Sequence, residues 1–144
     1  MMTDSIQSIQ LAPGGVVTDI YPEKGNDTGK IDLINDPSRS EIVRYGRDNN
    51  ITVMQGPFQL KQGGVGITIR NPVYLENESG DKYFWGFTIS IIRVPEIFSN
   101  SVNALEDFGY YYRLSKTLSP LIGEFTEIYS NCEEFKALLH ISLN

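Results

Sequence analysis

The most constraining stretch of this chain lies between Gly63 and Arg93, where two strand-like runs are joined by a polar turn. In the first run, Val65 to Tyr74, Val65, Ile67 and Ile69 fall on one face and Gly66, Thr68 and Arg70 on the other, which is the two-residue period of a β-strand. The Gly63-Gly64 pair ahead of it suits a tight turn. The second run, Tyr83 to Arg93, is rich in aromatic and β-branched residues, which fit a pleated surface. Between them, Leu75 to Lys82 holds Asn77-Glu78-Ser79-Gly80 and reads as an exposed loop.

The remaining segments extend this pattern. Ile6 to Leu11 and Val16 to Tyr21 flank Ala12-Pro13-Gly14-Gly15 and predict a hairpin. Tyr21 to Asp27 is a turn-rich surface loop, and Lys30 to Ile34 a brief strand. A helix is expected next, with Asp36 as N-cap, Pro37 in the first helical position, Ile42, Val43 and Tyr45 on its apolar side, and its end at Arg47-Asp48-Asn49-Asn50. Ile51 to Gln55 and Phe58 to Lys61 read as strands on either side of a bend at Gly56-Pro57. Pro95 opens a second helix through about Leu105, where proline suits the first turn. Tyr110 to Leu114 and Glu124 to Tyr129 are further strands, and Cys132 to His140 a last helix. The expected class is α+β, a twisted antiparallel sheet with helices packed on one face. A length of 144 residues suits a single domain spanning 1–144.

Composition narrows the function. With 18 acidic against 12 basic residues the net charge is -6, and no three Lys or Arg are consecutive, so nucleic acid is not an expected partner. Cys132 is the sole cysteine, which excludes an internal disulfide and is compatible with either side of a membrane. The sole histidine, His140, leaves no two-histidine metal site, and a Ser-His-Asp triad would have to use a residue that reads as a surface or half-buried histidine. Gly63-Gly64-Val65-Gly66 lacks the Lys and Ser/Thr of a phosphate loop, and a hairpin turn explains it better. Asn26-Asp27-Thr28 and Asn77-Glu78-Ser79 fit the glycosylation pattern and are read only as exposed loops. No cofactor is expected. The start, Met1-Met2-Thr3-Asp4-Ser5-Ile6, shows no secretory signal. The longest apolar stretch, Phe84 to Val94, contains Thr88, Ser90 and Arg93 and falls short of the about 20 residues a membrane helix needs.

An ordered series of short motifs adds to this. It comprises Leu11-Ala12-Pro13-Gly14-Gly15-Val16-Val17, Ile20-Tyr21-Pro22, Gly25-Asn26, Gly29-Lys30-Ile31-Asp32-Leu33, the Asp36-Pro37 start, Gly56-Pro57-Phe58-Gln59-Leu60, Gln62-Gly63-Gly64, Arg70-Asn71-Pro72-Val73-Tyr74 and Phe84-Trp85-Gly86-Phe87. Across about residues 6 to 112 the chain resembles the CHASE family, extracellular sensory domains of cyclases and histidine kinases; from Thr117 on the match is poor. The resemblance implies a PAS-like antiparallel sheet whose concave face holds a small-molecule ligand. It also implies an extracytoplasmic domain held to the membrane by flanking helices that lie outside this sequence. A cytoplasmic diguanylate cyclase or histidine kinase would be the output, and the full-length receptor would work as a homodimer. The fragment itself would not be an enzyme.

The same resemblance suggests a site. In plant cytokinin receptors of the family an Asp in the short strand before the helix bonds the ligand, and it matches Asp32; an equally weighted alternative is that Asp32 ties down a loop or caps the next helix. Main-chain groups of Met54 and Gln55 would line the pocket, unless they are plain sheet edge. Thr68 and Arg70, opposite Ile67 and Ile69, could project into it. Arg70 would then meet a ligand carboxylate, the alternative being a salt bridge to Asp32 or Glu41. Trp85 and Tyr21 would be aromatic walls, although a Trp in an apolar strand is more often core. Two rivals stand beside the sensor. One is a structural or protein-interaction module whose pocket is filled by Trp85, Phe87 and Tyr21, and the other a small enzyme using Asp32 or a Glu as base.

Overall fold

Antiparallel pairing organises the chain from its first strand. The computed structural model describes residues 5–24, 31–61, 63–119 and 122–133, and these divide into two units, Met1–Arg93 and Val94–Asn144. In the first unit β1 (Ile6–Pro13), β2 (Asp19–Tyr21), β3 (Val53–Gln59), β4 (Val65–Glu76) and β5 (Lys82–Val94) form one sheet in the order β2-β1-β5-β4-β3. β1 runs antiparallel to both β2 and β5, and β3 antiparallel to β4. The helix α1 (Ser40–Asn49) lies between β2 and β3 in sequence and packs against β3 and β4. The class is α+β with an antiparallel sheet, as the strand pattern predicted, and the sheet is PAS-like, as the resemblance implied.

The core of this unit joins Ala12, Val17, Ile20, Leu33, Val43, Phe87 and Ile89, with Ile42 of α1 and Phe84 of β5 against it. Phe84 stacks edge-on to Phe87 at 5.1 Å and to Tyr74 at 5.7 Å. The Tyr74 hydroxyl donates to the Arg47 carbonyl at 2.6 Å, fastening β4 to the last turn of α1. Gly86 sits opposite Pro13 in the β1–β5 register. A Cβ there would collide with the Ala12 carbonyl oxygen, so only glycine lets these strands approach.

Several local expectations are redrawn. Gly56-Pro57 does not divide two strands; β3 continues through it, with a register shift between Gln55 and Phe58 and a φ of 128 at Gly56. The predicted strand at 30–34 shrinks to a bridge between Val16 and Asp32, with Lys30 outside the described residues. Asp36 does not cap α1. Its carboxylate takes the backbone N–H of Ser38 at 2.9 Å and the Ser38 hydroxyl at 2.7 Å, forming a preceding turn, and the helix begins at Ser40.

In the second unit, a short 3-10 turn at Glu96–Phe98 leads into α2 (Ser99–Asp107), and β6 (Arg113–Ser119) pairs antiparallel with β7 (Ile122–Ser130). The first strand starts later than the predicted Tyr110 because Tyr112 is held separately. Its N–H bonds the Asn131 side-chain oxygen at 2.9 Å and its hydroxyl donates to Glu106 at 2.9 Å. The predicted helix Cys132–His140 lies outside the described residues from 134 onward.

Candidate ligand-binding cavity

Polar side chains on the covered face of the sheet decide what the first unit can hold. On β1, Ser8 and Gln10 are buried while Ile9 and Leu11 stand 43% and 38% exposed, the reverse of an ordinary amphipathic strand. Gln10 Nε2 donates to the Ser8 hydroxyl at 3.1 Å, so the buried pair partly satisfies itself. Register carries this face across the sheet. Gln10 lies between Ile20 of β2 and Ile89 of β5, Ser8 faces Ile91, and on the far side Gln55 of β3 faces Thr68 of β4.

This face borders a cavity of about 660 Å³. Apolar walls come from Ile20, Ile31, Leu33, Ile89 and Ile91, and from Pro57, Phe58 and Leu60 around the bulge of β3. Its polar groups are Gln7, Gln10, Ser38, Gln55, Gln59 and Thr68, and its cations are Arg39, Lys61 and Arg70. No Asp or Glu lines it among the described residues.

Arg70 is the unusual member. It is 4% exposed, its Nη1 donates to Gln55 Oε1 at 2.8 Å, and its buried Nε has no hydrogen-bond partner among the described residues. Burial lowers its pKa to about 10, Arg39 adds to that, and Asp36 opposes it, so the guanidinium stays charged at neutral pH. Asp36 is committed elsewhere, to an ion pair with Arg39 at 2.9 Å. Neither of the salt bridges considered from sequence, to Asp32 or Glu41, forms among the described residues.

The other residues singled out from sequence divide cleanly. Gln55, Thr68 and Arg70 meet at the cavity, whereas Asp32, Met54, Trp85 and Tyr21 do not line it. Asp32 sits between the lining residues Ile31 and Leu33, with its carboxylate turned into its own turn. It accepts from the N–H groups of Ile34 and Asn35, each at 3.1 Å, and from the Asn35 side chain at 2.8 Å. These bonds, the Asn35 side chain first, hold its pKa below the ordinary 3.8. Met54 alternates to the opposite face of β3 at 42% exposure, and Tyr21 is 64% exposed. Trp85 is half-buried and offers its carbonyl to the Gly14 N–H at 2.8 Å. Phe87 is core and does not fill the cavity. Sequence reasoning missed Gln10, Ser38 and Arg39; for Gln10 the only signal is the Ser8-x-Gln10 alternation, which polarity assigns to the solvent side.

Comparison with known proteins follows the geometry. A family model described as "CHASE domain" matches residues 7–119. The chain belongs to the CHASE domain family. A CHASE domain is a sensory and non-catalytic module. Among solved structures, an extracellular ligand binding receptor from Desulfohalobium retbaense is similar, with a TM-score of 0.57 and 16% identity, the match covering 97% of this chain. The chain spans 25% of that receptor's length, and the likeness is one of fold. No curated protein matches. Among the described residues no helix is long and apolar enough to cross a membrane, and no cluster of three or more His, Cys, Asp or Glu could hold a metal.

Proposed function

We propose that this CHASE domain is the extracytoplasmic sensor of a transmembrane receptor, in which a small molecule bound in the first unit controls a cytoplasmic diguanylate cyclase or histidine kinase. The cavity carries this reading. Its volume of about 660 Å³ is that of a small-molecule site, and mostly apolar walls with few polar groups are what orient such a ligand. Gln55, Thr68 and Arg70 are the polar anchors. The similar receptor, whose name records an extracellular ligand-binding role, supports the same placement outside the membrane. Occupancy can signal only by favouring one of two conformations, so the ligand must bind them unequally. A two-fold pair of such receptors would bring two output domains together.

A thermal-shift screen of small metabolites tests this. A ligand at 100 times its dissociation constant should add about 2.7 kcal/mol of apparent stability. Ile91→Trp, which places a ring in the cavity, should remove the response. If no metabolite moves the unfolding midpoint, or if the Trp variant responds like the parent, the cavity is not a sensing site.

A further inference from the structure

We propose that the occupant of this cavity is a small organic monocarboxylate, its anionic end taken by Arg70 and its apolar body laid against Ile20, Ile89 and Ile91. This rests on the reading of the cavity as a ligand site and adds the chemical class that fits it.

Charge balance gives the first reason. The chain carries a net charge of -6, yet the cavity lining holds Arg39, Lys61 and Arg70 and no acid among the described residues. Arg39 is already matched by Asp36 at 2.9 Å. Lys61 is exposed to water. Arg70, at 4% exposure, is therefore the buried charge on this wall with no ion-pair partner among the described residues; Asp36 reaches it only as a field, its own bonds going to Ser38 and Arg39. Proteins rarely keep a buried cation without one, because its lost hydration is not repaid.

Bonding geometry gives the second. Gln55 occupies Nη1, at one end of the guanidinium fork, while Nε at the other end has no partner among the described residues. The Nε side of an arginine is an edge on which a planar carboxylate can be held by parallel N–H donors. Thr68, 6% exposed on the same strand, adds a hydroxyl to the same wall.

The surroundings exclude neighbouring classes. A phosphate dianion would ask for a second buried cation, whereas Arg39 is committed to Asp36 and Lys61 is already solvated at the surface. An amine or amino acid would bring an ammonium group into a lining that offers no carboxylate among the described residues. A neutral amide would leave Arg70 unmatched.

Titration calorimetry of the 144-residue chain with three sets of probes decides the matter. The probes are phenylacetate and hexanoate, their amides, and the amines phenethylamine and hexylamine, with phenylalanine and inorganic phosphate alongside. The carboxylates should bind at least about 30-fold more tightly than their amides, as a lost charge-assisted contact predicts. Phosphate, phenylalanine and the amines should not compete. Arg70→Met should abolish carboxylate binding, with circular dichroism confirming that the variant is folded. The carboxylate-to-amide ratio needs no variant, so misfolding of Arg70→Met would not blunt the test. If amides or amines bind as well as the acids, or carboxylates bind a folded Arg70→Met unchanged, the monocarboxylate inference is overturned while the sensing reading survives. Binding of no probe, together with a failed metabolite screen, overturns both.

Discussion

The turn at Asp32 and the strand at Arg70 handle an ionised side chain in opposite ways within the same unit. Asp32 spends its carboxylate locally, on two backbone N–H groups and the Asn35 amide. Arg70 is far more deeply buried and has one partner, Gln55, with Nε left over among the described residues. The lesson is that a charged residue next to a pocket is a ligand anchor only when it retains unspent bonding capacity. By that measure the carboxylate is a structural fastener and the guanidinium is the proposed anchor.

Arg70→Met offers the sharpest break of this contrast. It should reduce carboxylate affinity at least about 100-fold, the worth of a buried charge-assisted pair, while leaving stability within about 1 kcal/mol or raising it, because an apolar isostere needs no partner. Chemical denaturation beside calorimetry measures both. Asp32→Ala should do the converse, lowering the unfolding midpoint with ligand affinity unchanged; a loss of affinity with stability intact would reverse the assignment of roles.

Acid titration sharpens the same point. Asp32 and Asp36 are both held below 3.8, chiefly by bonds from Asn35 and Ser38 respectively. Their folded values are depressed, so the stability they contribute is present above 3.8 and is lost as pH falls through the lower folded values. The midpoint should therefore stay level on approach from neutral pH, then decline, and Asp32→Asn should make that decline shallower. Gln55→Leu should cost about 1 to 2 kcal/mol of stability and about tenfold in carboxylate affinity, since Arg70 would lose the group that orients it. Met54→Ala, on the opposite face of β3, should change affinity by less than about twofold, as a side chain outside the site does. A larger change would mean that the cavity reaches beyond its present lining.

Much of this contrast was legible beforehand, and the reason is periodicity. The alternation of Val65 to Arg70 put Thr68 and Arg70 on one face of β4, where the cavity lies. The hairpin around Pro13-Gly14 and the apolar run of β5 were equally plain, because turn chemistry and β-branched content act over few residues. Burial on β1 was not, because Ser8 and Gln10 are polar and only the register beside β5 turns them inward. The start of α1 was misjudged because Asp36 has two ways to satisfy a turn, and Ser38 at close range wins over the helix end. Whether Asp32 or Arg70 keeps spare bonding capacity depends on where Asn35 and Gln55 point, which no spacing rule encodes.

Gln55 has a consequence for how occupancy could be felt elsewhere. Its amide oxygen receives Arg70 at 2.8 Å and its amide nitrogen reaches the Ser38 carbonyl at 3.3 Å, just before α1 begins at Ser40. The two ends of that amide cannot be exchanged without setting donor against donor at the guanidinium. A tug on the guanidinium would thereby be handed to the doorway of the helix through a linkage with a fixed sense, like a lever keyed to turn one way.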